Sequence, residues 1–183
     1  MFPVSDENPR SIIPLVTWSL IGLNVLAFIW EAATPLSIDA IFYRYGFIPA
    51  LGIRNFTNLR VFTSMFLHAD LLHIGGNMLY LWIFGDNVED SCGHLSFLVF
   101  YLLSGIAGSL TMYVLDPTSP IPAIGASAAI SGILGGYALL YPKVRIRTVV
   151  FAFYFMNFVR VPAFALIGFW FLLQLLYFVY SMG

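Results

Sequence analysis

Gly125-Ala126-Ser127-Ala128-Ala129-Ile130-Ser131-Gly132 opens an apolar stretch that runs on to Tyr141. It places a serine just inside the N-terminal end of a predicted membrane helix, directly behind the proline- and serine-containing loop Asp116 to Pro122. Small residues flank that serine on both sides. Glycine and alanine remove side-chain bulk, so the backbone can approach a neighbouring helix or a substrate backbone. Ala126 to Tyr141 is short for a crossing, which suits a helix whose N-terminus starts below the membrane surface, inside a ring of helices that water reaches. The stretch reads as a membrane-embedded serine hydrolase site.

Composition agrees with a membrane setting. Of the 183 residues 60% are apolar and 9% charged, against about a quarter charged in ordinary soluble domains. Apolar runs of span length recur, each able to cross a hydrocarbon core roughly 30 Å thick. A net charge of −1 gives no reason to invoke nucleic acid. One cysteine, Cys92, excludes an intramolecular disulfide framework and CxxC-type metal clusters.

Five spans are predicted. Ile12 to Trp30 is the first, with Pro14 in its first turn, where a missing N–H costs little. Asn24 within it is expected to hydrogen-bond to a neighbouring helix. The second, in Val61 to Phe84, begins near Asp70 or Leu71. Gly85 to Gly93 reads as an acidic loop, and Leu95 to Leu115 as a third span with a small-residue face. Ala126 to Tyr141 is the fourth, and Val161 to Met182 the fifth. Between these last two lies a basic knot, Lys143, Arg145 and Arg147, then Thr148 to Val159, too short to span and read as interfacial or re-entrant. Met1 to Ser11 is expected to be loosely ordered. Glu31 to Arg60 mixes aromatic residues with Arg44, Arg54 and four glycine or proline breaks, as an interfacial loop does; its Asn55-Phe56-Thr57 sequon is discounted as a chance match. The fold class is therefore all-α, a polytopic transmembrane helix bundle in one domain, 1–183. Arg10, Lys143, Arg145, Arg147 and Arg160 against Arg44, Arg54 and Arg60 put the N-terminus in the cytoplasm.

Polar groups inside spans are costly and point to function until packing explains them. His73 and Asn77 stand four apart, on one helical face, with His68 in the approach to that span. Paired donors of this kind suit an oxyanion, or alternatively a His–Asn pair that holds the bundle together. A helix N-terminus aims free N–H groups at any oxygen beside Ser127. Ser127 is the candidate nucleophile, or alternatively a capping or packing serine. Ser131, one turn deeper, is its rival.

Gly125-Ala126-Ser127 at a span's start, His73-Ile74-Gly75-Gly76-Asn77 on an earlier span, Arg60-Val61-Phe62-Thr63 before His68, and Gly85-Asp86-Asn87-Val88-Glu89-Asp90 together resemble the rhomboid family of intramembrane serine proteases, prokaryotic type. The likeness runs from the first span to Met182. It implies Ser127 as nucleophile, with His73 and Asn77 lining the oxyanion hole beside the Ser127 N–H. Gly125 would shape the adjacent loop, Arg60 tether the first loop, His68 support the site, and Glu89 belong to an acidic turn that stabilises the cytoplasmic end. The implied reaction is peptide hydrolysis in or next to the transmembrane helices of single-span or polytopic membrane-protein substrates, in the lipid bilayer, with no metal and no cofactor. Short tails point to a prokaryotic plasma membrane.

Three departures stand out. Ala128 replaces a motif glycine, and Leu59 replaces the usual tryptophan before the loop arginine. The family's general base is a histidine on a sixth span, whereas His68, His73 and His94 all precede Ser127. The expectation is a chain that lacks its sixth span. The alternative is a catalytically inactive rhomboid-like protein that binds transmembrane clients. A small channel or transporter is disfavoured, because no inverted repeat or pair of broken helices is apparent.

Overall fold

A computed structural model describes the backbone of residues 2–152 and 155–182, and the side chains of 3–150 and 157–176. Strand β1 (Phe2–Asp6) precedes helices α1 (Leu15–Ala33), α2 (Ile38–Tyr45), α3 (Arg54–Thr57), α4 (Arg60–Thr63), α5 (Leu71–Cys92), α6 (His94–Leu115) and α7 (Ser127–Leu140). Strands β2 (Arg145–Ala152) and β3 (Phe155–Pro162) then lead into α8 (Ala163–Met182). The predicted spans coincide with α1, α5, α6, α7 and α8, and α1 and α6 are each long and apolar enough to cross a membrane.

The bundle is apolar outside as well as inside. On α1 the buried residues are Thr17, Leu20, Asn24 and Glu31, a heptad-like stripe that is mostly polar, while Leu23, Leu26 and Ile29 are exposed. A helix in water shows the reverse. Here the polar groups turn inward and leucines face the lipid, as a bilayer solvent requires. Asn24 donates to Leu20 O of its own helix at 2.8 Å, and its side chain also faces the buried Tyr101 hydroxyl of the neighbouring α6.

Helix pairs close through small residues. A side chain at Gly105 would collide with Met65, one at Gly108 with the Ala128 methyl, and one at Gly132 with Ser104. Backbones that approach this closely are how helices associate where lipid removes the hydrophobic drive. The core they enclose includes Leu81, Phe84, Tyr101, Ile130, Ile133, Leu134 and Tyr137.

The acidic segment corrects one expectation. Gly85 to Cys92 is not a loop but the last turns of α5, and its side chains bolt down the N-terminal segment. Glu89, fully buried, accepts from the N–H groups of Val16 (2.9 Å) and Thr17 (2.7 Å) and from the Thr17 hydroxyl (2.7 Å), and meets His94. No side chain of α1 caps its own start, so a carboxylate from α5 satisfies those orphan donors and complements the helix dipole. Asp90 accepts from the N–H groups of Ser11 and Ile12, and Asp86 pairs with Arg10 at 2.9 Å. Glu89→Ala strands three buried donors, and a loss of about 3 kcal/mol is expected. Thermal or denaturant unfolding in detergent checks it; an unchanged midpoint would contradict the cap.

The sheet qualifies the all-α expectation, since a mostly helical chain carries one small sheet, and overturns that of a loose N-terminal tail; Thr148 to Val159, expected as an interfacial or re-entrant segment, takes the form of a strand pair. Strand order is β1-β2-β3, antiparallel throughout. Thr148 pairs with Val159 and with Pro3, so the twelve apolar residues form most of a hairpin, whose tip, residues 153–154, lies outside the described residues. Pairing to β2 is what orders the tail. Asp6 accepts from Asn87 Nδ2 at 2.7 Å and the Tyr137 hydroxyl at 2.9 Å, tying β1 to α5 and α7.

Burial pushes the Asp6 carboxyl up to about 6, with Asp86 adding to the rise and the Tyr137 bond opposing it. A folded-state pKa above the unfolded value favours the protonated form in the fold, so stability is gained below about 4 and lost as pH rises through about 6. Asp6 is half-buried, so the effect is on the order of 1 kcal/mol. The melting temperature should rise between pH 7.5 and pH 5 by more in the wild type than in Asp6→Asn. Equal shifts would contradict this.

Candidate active site

The helices alternate in direction, so the sheet occupies one end of the bundle and the loops before α5 and α7 occupy the other. At that second end Asp70 caps α5, its carboxylate accepting the His73 N–H at 2.8 Å. The cap fixes the first turn, and helical spacing stacks His73 and Asn77 on one face.

That face meets the loop ahead of α7. A Cβ placed on Gly125 would lie 2.7 Å from His73 Nε2, 2.9 Å from His73 Cε1 and 3.7 Å from Asn77 Nδ2. The glycine backbone therefore rests against both side chains. Its φ of +110° is one that side-chain-bearing residues avoid, and its N–H is fixed by Ser64 O at 2.8 Å. Ser127 follows two residues later as the first residue of α7.

Ser127 is not the helix cap. Ala126 holds that position, and no side chain caps the helix, so the first-turn N–H groups are left without intrahelical acceptors. Among the described residues the Ser127 hydroxyl makes no hydrogen bond, and its surroundings are only partly buried. The helix has 14 residues, about 21 Å at 1.5 Å per residue, too short for a full crossing. Ser131, the rival serine, accepts from Trp170 Nε1 at 3.1 Å and so joins α7 to α8.

The donors around Gly125 are poised. Asn77 Nδ2 is buried without a partner, an expensive state unless an acceptor arrives. His73 Nδ1 accepts a long bond of 3.4 Å from the Ala69 N–H, which assigns the ring proton to Nε2, the atom facing Gly125. The His68 ring stands edge-on to His73, centroids 5.0 Å apart, and is fully buried.

Sequence reasoning missed Glu31, which it placed at the start of a loop. Both its carboxylate oxygens receive the His68 N–H at 3.3 Å, pinning the segment that carries the histidines to α1. The signal was its place on the Thr17, Leu20, Asn24 stripe. Arg60 donates to Tyr43 O at 2.7 Å and the Thr63 hydroxyl to Tyr45 O at 2.6 Å, holding the long loop over this end. Asn55 is buried and bonded to Ile48 on both sides of its amide, in keeping with the discounted sequon. The Ala128 methyl lies against Gly108 of α6. His94 sits at the opposite end with Glu89.

A family model described as Rhomboid domain matches residues 55–183. The chain is 28% identical over 155 residues to Rhomboid protein 1, mitochondrial, of Saccharomyces cerevisiae, a match covering 82% of this chain and 42% of that protein. It is 45% identical over 82 residues to Rhomboid protease GluP of Bacillus subtilis, covering 45% and 15%. With Inactive rhomboid protein 1 of Drosophila melanogaster it shares 30% over 96 residues, covering 52% and 7%. The chain thus spans less than half the length of each of these relatives. With most of its length matched by the domain, and with protease and inactive relatives alike, the chain belongs to the rhomboid family of intramembrane serine proteases.

Proposed function

We propose that this chain carries the nucleophile and oxyanion machinery of an intramembrane serine endopeptidase that cleaves peptide bonds in or next to transmembrane helices. Ser127 Oγ attacks the scissile carbonyl. The developing oxyanion is held by Asn77 Nδ2–H, His73 Nε2–H and the Ser127 N–H, donors fixed before the substrate arrives. Gly125 keeps the space between them open, while Arg60, His68 and Glu31 position the loops. The observation that carries this reading is the seating of the Gly125 backbone against both His73 Nε2 and Asn77 Nδ2.

A serine needs a base, and the three histidines do not supply one: His73 is a donor here, His68 is packed behind it, and His94 lies at the far end. A second reading, an inactive rhomboid-like protein that captures transmembrane clients, is supported by the likeness to Inactive rhomboid protein 1 of Drosophila melanogaster. The sheet end, with the N-terminus and the Lys143 to Arg160 region, is assigned to the cytoplasm on its excess of cations.

The natural full-length protein, reconstituted in vesicles with a tagged single-span substrate, separates the two. Release of a fragment cut in or beside the substrate's membrane helix supports the protease. Stable capture of the uncut substrate overturns it.

A further inference from the structure

Four of the chain's eight Lys and Arg residues, Lys143, Arg145, Arg147 and Arg160, lie at the root of the β2–β3 hairpin, while the sequence from Thr148 to Val159 contains no charge at all. Strand alternation sorts the root. Ile146 and Thr148 are buried on the face toward the helices, whereas Arg145 and Arg147 are exposed on the other. Arg160 pairs in register with Arg147, and Phe158 with Val149, so they share that outer face. The Arg147 guanidinium lies over the Phe158 ring, 5.8 Å from its centroid, and Glu7 meets Arg160 at 2.8 Å, with Asp6 lining the same hollow.

Further along, β3 leaves the bundle. Phe158 and Val159, which point to opposite faces, are both exposed. An apolar strand exposed on both faces at the open edge of a sheet is an aggregation hazard in water. Open edges are equally excluded from the hydrocarbon core. The headgroup zone satisfies both conditions, and the hairpin is held there by its short links to α7 and directly to α8, where Ala163 N–H donates to Val144 O at 2.9 Å. A hairpin at that depth would set the root guanidiniums level with lipid phosphates.

We propose that the β2–β3 hairpin is an interfacial membrane anchor whose outer face, built from Arg145, Arg147, Arg160 and Phe158, binds the phosphate headgroups of anionic phospholipids. Arginine forks suit phosphate oxygens, and the ring beneath Arg147 fits the boundary between headgroups and acyl chains. This goes beyond the proteolytic reading and does not depend on it.

Native mass spectrometry of the natural full-length protein, titrated in detergent with phosphatidylglycerol or phosphatidylcholine, tests it. The wild type should hold phosphatidylglycerol in preference. Arg147→Gln with Arg160→Gln should weaken that binding roughly 25-fold, about fivefold per arginine, and the lysine pair should restore most of it. Inorganic phosphate should not displace the lipid at matched ionic strength. If the glutamine pair fails to fold, Arg145→Gln, which has no ion-pair partner among the described residues, should weaken the binding about fivefold. Equal binding of both lipids, or binding unchanged in a folded glutamine variant, would overturn the proposal and leave an acidic protein segment as the occupant.

Discussion

Replacing Ser127 by alanine in the natural full-length protein is expected to reduce cleavage of a single-span substrate to background, a loss on the order of 10⁴-fold or more, as for other serine nucleophiles. Stability should stay within about 0.5 kcal/mol of wild type, because the Ser127 hydroxyl makes no hydrogen bond among the described residues and Ala126, not Ser127, stands at the cap. Ser131→Ala should do the opposite. It removes the bond from Trp170, costs about 1 kcal/mol of stability, and leaves cleavage within a few-fold of wild type. Side-by-side rates and melting curves check both. Swapped phenotypes would make Ser131 the nucleophile.

Gly125→Ala is expected to have the next largest effect, through geometry. The added methyl would lie 2.7 Å from His73 Nε2, closer than van der Waals contact permits, on a backbone whose φ of +110° disfavours any side chain. His73 or the loop must move, and displacement of a reacting centre by about 1 Å costs roughly 100-fold. The backbone strain itself adds about 1–3 kcal/mol. A fall of at least 100-fold in kcat, with the protein still folded at low temperature, is the expected outcome. Near-normal kcat would mean that Gly125 does not border the oxyanion site.

The features that proved legible share a cause. Apolar runs bounded by Pro, Gly and charge report solvent, so the long helices could be placed to within a few residues. His73 and Asn77 could be paired because a helix converts a spacing of four into one face, and Gly125 could be tied to Ser127 by adjacency. Whatever depended on partners far apart in sequence was hidden. The tail became β1 only through pairing with Ile146 to Val149, far along the chain. The hairpin did carry a signal, the β-branched and aromatic run Val149, Val150, Phe151, Phe155, Phe158, Val159, but in so apolar a chain it reads as membrane contact. Asp86, Glu89 and Asp90 look like a loop because acids usually face water; here the N-terminal segment supplies the donors that keep them in a helix. Ala128 stands in place of a motif glycine, and only the facing Gly108 of α6 shows where its methyl goes.

The most direct test of the central claim is peptide mapping of a fluorophosphonate adduct on the natural full-length protein in lipid. A single adduct on Ser127, absent from Ser127→Ala, is the predicted result. An adduct on Ser131, or none on a folded protein that holds its substrate uncut, would contradict the account.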